Sequence, residues 1–137
     1  MSYVTLRKIV DDVLYLKNKL LGFDSRSDTP SVVNASEGNI INFTTSKIIN
    51  IKLDATLTLM RPSSLPTKDG QVTGIDFDVL ATPFAVTLDP AYFRGNLDNI
   101  IPNPLVDATP NTRTTHYFKW NAKDQFYTSA GFFRRDP

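Results

Sequence analysis

His116 is the only imidazole in the 137-residue chain, and a catalytic histidine needs a carboxylate or hydroxyl partner within hydrogen-bond reach. Its own segment offers Thr114 on the same face and Thr115 and Tyr117 on the other, so any partner must converge from elsewhere in the fold. A hydrogen-bonded structural histidine on a half-buried strand satisfies the same residues. Asp76 and Asp78 stand two apart, at strand spacing, between Ile75, Phe77 and Val79. Sharing one face, they can hold a cation or work as an acid–base pair, the chemistry of a small carboxylate enzyme. They also describe the wet face of a strand whose other face is buried, which asks for nothing beyond the alternation itself. The chain has no cysteine, which excludes disulfides, thiolate zinc sites, iron–sulfur clusters and cysteine nucleophiles. Gly70 and Gly74 belong to a turn and a strand, and no Gly-Lys-Ser or Gly-Lys-Thr phosphate loop occurs. No catalytic residue, metal ligand or cofactor is expected.

From Arg113 onward, Arg113, Lys119, Lys123, Arg134 and Arg135 are interleaved with Tyr117, Phe118, Trp120, Phe126, Tyr127, Phe132 and Phe133. Cations mixed with aromatics are what a groove for single-stranded nucleic acid uses. The period-two placement of Phe118 and Trp120 is instead that of core residues, and fifteen basic residues against fourteen acidic ones leave a net charge of +1, too little to attract a polyanion or an anionic membrane. Neither nucleic acid nor membrane is expected as a partner. The longest apolar runs fall far short of the roughly 18 residues a membrane helix needs, and the N-terminal segment lacks the unbroken apolar stretch of a secretory signal.

The elements that must position these side chains follow from periodicity. Leu6, Ile9, Val13, Leu16 and Leu20 recur at helical spacing, with Ser2 as a cap and Gly22 as a terminator, which predicts an amphipathic helix over residues 1–22. Its wide apolar stripe can pack on the protein's own sheet or meet another subunit. Residues 24–37 read as a surface connection. From residue 39 the period becomes two. Ile49 to Leu59 alternates apolar and polar without a break, a strand long enough to cross the whole molecule unless it bends. Ile75–Val79 and Phe84–Leu88 read as two further strands, and Thr114–Trp120 with Phe126–Thr128 as a closing hairpin. The composition agrees: thirteen Asp but one Glu, fifteen Thr and nine Pro favour strands, turns and caps over helix interiors. The expectation is a single domain, residues 1–137. It is mainly β with one N-terminal α-helix, and its β domain over 39–137 forms an antiparallel sandwich or partly closed barrel.

Residues 96–112 show no sustained period and contain Pro102, Pro104 and Pro110, an extended segment of a length that usually has a task. Ile100, Ile101 and Leu105 in it, and Phe132 and Phe133 near the C-terminus, need burial and are the expected anchors of contacts between subunits. A neutral, cysteine-free chain poor in Glu and rich in Thr, Asn, Pro and Phe, with extended arms around a small β core, resembles in style the small virion structural proteins of tailed phages, such as capsid decoration proteins or tail and neck components. That resemblance implies assembly with copies of itself or with other virion proteins, a place in the virion after synthesis in the host cytoplasm, and no chemistry; it carries no motif and assigns no residue a role. An alternative is a small β-barrel that binds an apolar or carbohydrate ligand through Trp120, Phe118 and Tyr117.

Overall fold

A computed structural model describes residues 5–6, 8–12 and 24–135. Residues 5–6 and 8–12 are helical, as the N-terminal periodicity predicts, and Leu6, Ile9 and Val10 are exposed; the rest of the expected helix lies outside the described residues. Nine strands follow: β1 (Ser31–Asn34), β2 (Ile40–Ile41), β3 (Ile48–Leu53), β4 (Leu57–Pro62), β5 (Val72–Val79), β6 (Val86–Leu88), β7 (Phe93–Arg94), β8 (Arg113–Asn121) and β9 (Phe126–Arg135). They form two open sheets, one in the order β1-β3-β5-β8-β9-β7 and one in the order β2-β4-β6. The mainly β architecture with one short helix is therefore as expected, and it is a sandwich rather than a closed barrel.

The pairing directions differ from expectation. Among the described residues five of the seven ladders are parallel, and only β5–β8 and β8–β9 are antiparallel. The cause is the route of the chain. From β1 to β6 each strand leaves for the opposite sheet, so the next strand to return runs in the same direction as the one before it. Three turns of a flattened coil result, β1 with β2, β3 with β4 and β5 with β6, and the β8–β9 hairpin closes the larger sheet. Residues 24–37 are not merely a connection: they hold β1 and a 3-10 turn at Ala35–Glu37.

The long alternating run from Ile49 to Leu59 bends, as its length requires. The chain turns at Asp54 and Ala55, where Asp54 accepts hydrogen bonds from the Ser36 backbone N–H at 2.8 Å and the Ser36 hydroxyl at 2.6 Å, and β3 and β4 end up in different sheets. Strict alternation carries Ile49, Ile51, Leu53 and Leu57 into the core, and there it stops: Met60 is buried while Leu59 is exposed. In the β4–β6 ladder Leu57 faces Val86 but Met60 faces Leu88, so β4 carries one extra residue, a bulge that reverses which face the following side chains take. Leu59 occupies the left-handed region with φ 50°. Ile75, Phe77 and Val79 of β5, Phe118 and Trp120 of β8 and Tyr127 of β9 are all buried in one core; each such side chain contributes about 1.5–3 kcal/mol by leaving water. Phe43, Phe93 and Tyr127 pack ring on ring, Phe43 edge-on to both others at 6.0 and 5.5 Å and Phe93 stacked on Tyr127 at 5.4 Å.

Candidate functional site

The outer face of the larger sheet gathers the polar residues that alternation turns away from the core. Register places Asn50, Asp76 and Thr115 in one cross-strand row and Lys52, Asp78 and Arg113 in the next. Asp78 is the hub. Its carboxylate accepts hydrogen bonds from Arg113 Nε at 2.6 Å and Nη2 at 3.0 Å, from Lys52 Nζ at 2.6 Å and from Asn50 Nδ2 at 3.0 Å. Burial works against the charge on Asp78, but the donors of Arg113, Lys52 and Asn50 together outweigh it and hold the carboxyl well below the usual carboxylate range. Asp76 accepts from the Thr115 hydroxyl at 2.6 Å and lies 3.6 Å from Arg113 Nη1. The Asp78 carboxylate is thus engaged by side chains of β3 and β8, and that of Asp76 by side chains of β8. Among the described residues no group of three or more Asp, Glu or His side chains is placed to hold a metal. The arrangement neutralises itself, two cations against two anions, and ties β3, β5 and β8 together.

His116 points to the other face, into the core, and has no exposed surface. Its ring stacks on Phe132 at 5.1 Å and on Phe118 at 6.1 Å and meets Phe77 edge-on at 5.9 Å. Nε2 donates to the Leu105 carbonyl across 3.0 Å, which leaves buried Nδ1 as the unprotonated nitrogen with no hydrogen-bond partner. Burial lowers its pKa, opposed by the Leu105 carbonyl and assisted by Arg134. Among the described residues no carboxylate hydrogen-bonds this imidazole, which fastens the segment after β7 to the sheet through the Leu105 carbonyl.

The aromatic residues of the hairpin divide by face. Phe118 and Trp120 are closed inside the sandwich, so they offer no ring to a base or a sugar, and the alternative of ligand binding through Trp120, Phe118 and Tyr117 loses two of its three residues. Phe126 lies beneath Arg94, whose guanidinium carbon is 4.5 Å from the ring centre. Only Phe132 and Phe133, 39% and 40% exposed, face outward to a substantial degree.

Of the residues expected at contacts between subunits, Leu105 is corrected: it is buried in the chain's own core, and its carbonyl is the acceptor of His116. Residues 103–106 bend and meet the hairpin through the Leu105 and Pro104 carbonyls, with Leu105 and Val106 buried. Ile101 is partly buried against the same core, while Ile100 is 68% exposed. Sequence reasoning passed over Leu97, which is fully exposed at the tip of a tight turn. Asn96 Oδ1 accepts from the backbone N–H groups of Asp98 at 3.0 Å and Asn99 at 2.7 Å, and the Asn96 N–H donates to the Asn99 carbonyl at 3.0 Å. The Asn-x-Asp-Asn composition was the available signal, since Asn and Asp side chains fold back on their own backbone. Gly95 anchors the turn: a Cβ there would stand 2.9 Å from the Ile101 nitrogen and 3.1 Å from the Ile100 Cα. The turn also reaches β9, with Asn99 Oδ1 3.8 Å from where a Gly131 Cβ would stand. Leu97 and Ile100 thus lie on and beside a turn that adjoins Gly131 of β9. Beside it a groove of about 340 Å³ is lined by Val86, Leu88, Phe93, Ile101 and Leu105 among others.

No family model matches the chain, and no curated protein or solved structure matches it.

Proposed function

We propose that this chain is a non-enzymatic structural protein, a virion component that packs against copies of itself or against a larger shell or tail protein. The observation that carries the reading is the set of exposed apolar side chains, Leu97 and Ile100 at a hydrogen-bonded turn and Phe132 and Phe133 on the last strand. Exposed apolar residues grouped in this way mark contact surfaces, whereas scattered ones need no explanation. The groups that would serve chemistry are already occupied: Asp78 and Asp76 by Arg113, Lys52, Asn50 and Thr115, and His116 by the Leu105 carbonyl. With a net charge of +1, close packing of copies meets little mutual repulsion. The resemblance in composition to small phage virion proteins points the same way.

The test is sedimentation of the purified chain and of an Ile100→Asp variant, alone and with particles of a tailed phage in whose genome the chain is encoded. Association of the wild type with itself or with the particle, weakened by Ile100→Asp without a change in melting temperature, is the expected result. A chain that neither associates with itself nor comigrates with particles refutes the proposal.

A further inference from the structure

Apart from any assembly, we propose that the outer face of the larger sheet is the docking surface for the chain's own N-terminal segment, the apolar stripe of residues 13–22 lying across β5, β8 and β9. Beyond the row that holds Asp76, register sets Ile48, Gly74, Tyr117 and Gly131 side by side on β3, β5, β8 and β9. This cross-strand row carries no charge. Its members point away from the core, because the alternate positions Ile49, Ile75 and His116 are the buried inward ones. The Tyr117 ring leans over β5: a Cβ on Gly74 would stand 3.1 Å from its Cε1 and 3.6 Å from the Ile48 Cγ1. With glycine on both strands that flank Tyr117, no side chain rises beside the ring, and a strand glycine of this kind marks a place where another backbone comes close. Ile48 and Tyr117 are half-buried, and Val72, two residues before Gly74, is 43% exposed.

The place where the segment ends selects it as the occupant. Asp24 accepts from Gln71 Nε2 at 3.4 Å, and Arg26 donates to the Val72 carbonyl at 2.6 Å and to the Thr73 hydroxyl at 2.6 Å, so residue 24 is tied to the start of β5, beside Gly74. The predicted helix over 13–22 reaches about 15 Å, while β5 to β9 measures about 10 Å across the sheet. The segment is long enough to cross the row. Residues 5–6 and 8–12 then stand past β9, in keeping with the exposure of every one of them. Val13, Leu16 and Leu20, widened by Leu14 and Leu21, form a stripe that gains only by burial. Joined to the sheet through Phe23 alone, the segment meets this face at an effective concentration on the order of millimolar, which favours it over the same segment of a second copy.

Because the chain has no cysteine, paired cysteines introduced into the full chain report the contact. Lys119→Cys puts a thiol at an exposed position two residues from Tyr117 on the same face, and Thr58→Cys puts one at an exposed position on β4 of the other sheet. Under mild oxidation Leu16→Cys with Lys119→Cys should close a disulfide within one chain, about tenfold or more faster than Leu16→Cys with Thr58→Cys. Separately, Leu16→Asp should lower the melting temperature by about 5 °C or more, since it puts a charge against the row. A disulfide that joins two chains places the segment on a second copy and overturns the proposal. Equal rates for the two cysteine pairs overturn it as well, and so does an unchanged melting temperature in Leu16→Asp.

Discussion

Replacing Asp78 by Asn keeps the shape of the side chain and removes the charge on which three strands converge. The Asn50, Lys52 and Arg113 donors then face a neutral amide, and its NH₂ group turns at least one donor against another. Breaking a fully buried ion pair costs about 3–5 kcal/mol, and an exposed one about 1 kcal/mol or less. Asp78 itself is 11% exposed at the side chain, but its partners Lys52 and Arg113 are 38% and 36% exposed and regain water when released. The cost should fall between these limits, at about 2–3 kcal/mol, a drop of roughly 10 °C in Tm for a chain of this size. Urea unfolding followed by the fluorescence of Trp120, the single tryptophan and a buried one, reads this directly. The sign with pH is determined. The folded-state carboxyl is held below its unfolded value, so its contribution is complete above pH about 4 and fades as the pH falls through the folded value. The gap in stability between wild type and Asp78→Asn should therefore narrow steadily as the pH falls below about 4, and close only beneath the folded-state value. A loss under about 0.5 kcal/mol at neutral pH would refute the view that this network fastens β3, β5 and β8.

For His116 the sign is the same but the range is higher: burial lowers the folded-state pKa, so stability is lost as the pH falls below about 6.5, at up to ~1.4 kcal/mol per pH unit, and His116→Gln should flatten that part of a pH-stability profile measured in urea. Met60→Ala should cost about 2–5 kcal/mol and Leu59→Asn, which suits the left-handed backbone there, less than about 0.5 kcal/mol in the same unfolding assay, because the bulge in β4 puts the first in the core and the second in water. Arg26, buried, donates to the carbonyls of Phe43 at 3.0 Å and Val72 at 2.6 Å, to the Thr73 hydroxyl at 2.6 Å and to the Asp24 carboxylate at 2.8 Å. Arg26→Lys should lose most of these bonds and lower stability by about 2–4 kcal/mol by thermal unfolding, since a lysine cannot reproduce the planar fork.

Alternation along β3, β5 and β8 was legible residue by residue. Ile49, Ile51, Leu53, Ile75, Phe77, Phe118 and Trp120 are core because side chains two apart share a face, and that rule needs no knowledge of neighbours. The same rule placed Asp76 and Asp78 together on the face away from the core, but that face is not the solvated one expected: Asp78, Asn50 and Thr115 are buried there, because the Arg113 and Lys52 side chains fold over the carboxylates. His116 needed one further fact. Position two from Phe118 marked it as inward, but its acceptor, the Leu105 carbonyl, lies eleven residues away on a segment without period. Strand direction was not legible at all. A parallel and an antiparallel strand have the same local pattern, and only the crossing of each of the first six strands to the opposite sheet decided that the ladders of the coil are parallel. Leu59 and Met60 show the limit within one strand, where an extra residue against β6 inverts the faces although the sequence alternates on. Tertiary packing likewise sorted the segment 96–112: Leu105 and Ile101, as apolar as Ile100 and Leu97, pack against the core, Leu105 where its carbonyl meets His116. The Asn96 turn projects the other two outward. Apolar character establishes that a side chain gains by leaving water, and the three-dimensional path of the chain decides whether its own core or another surface receives it.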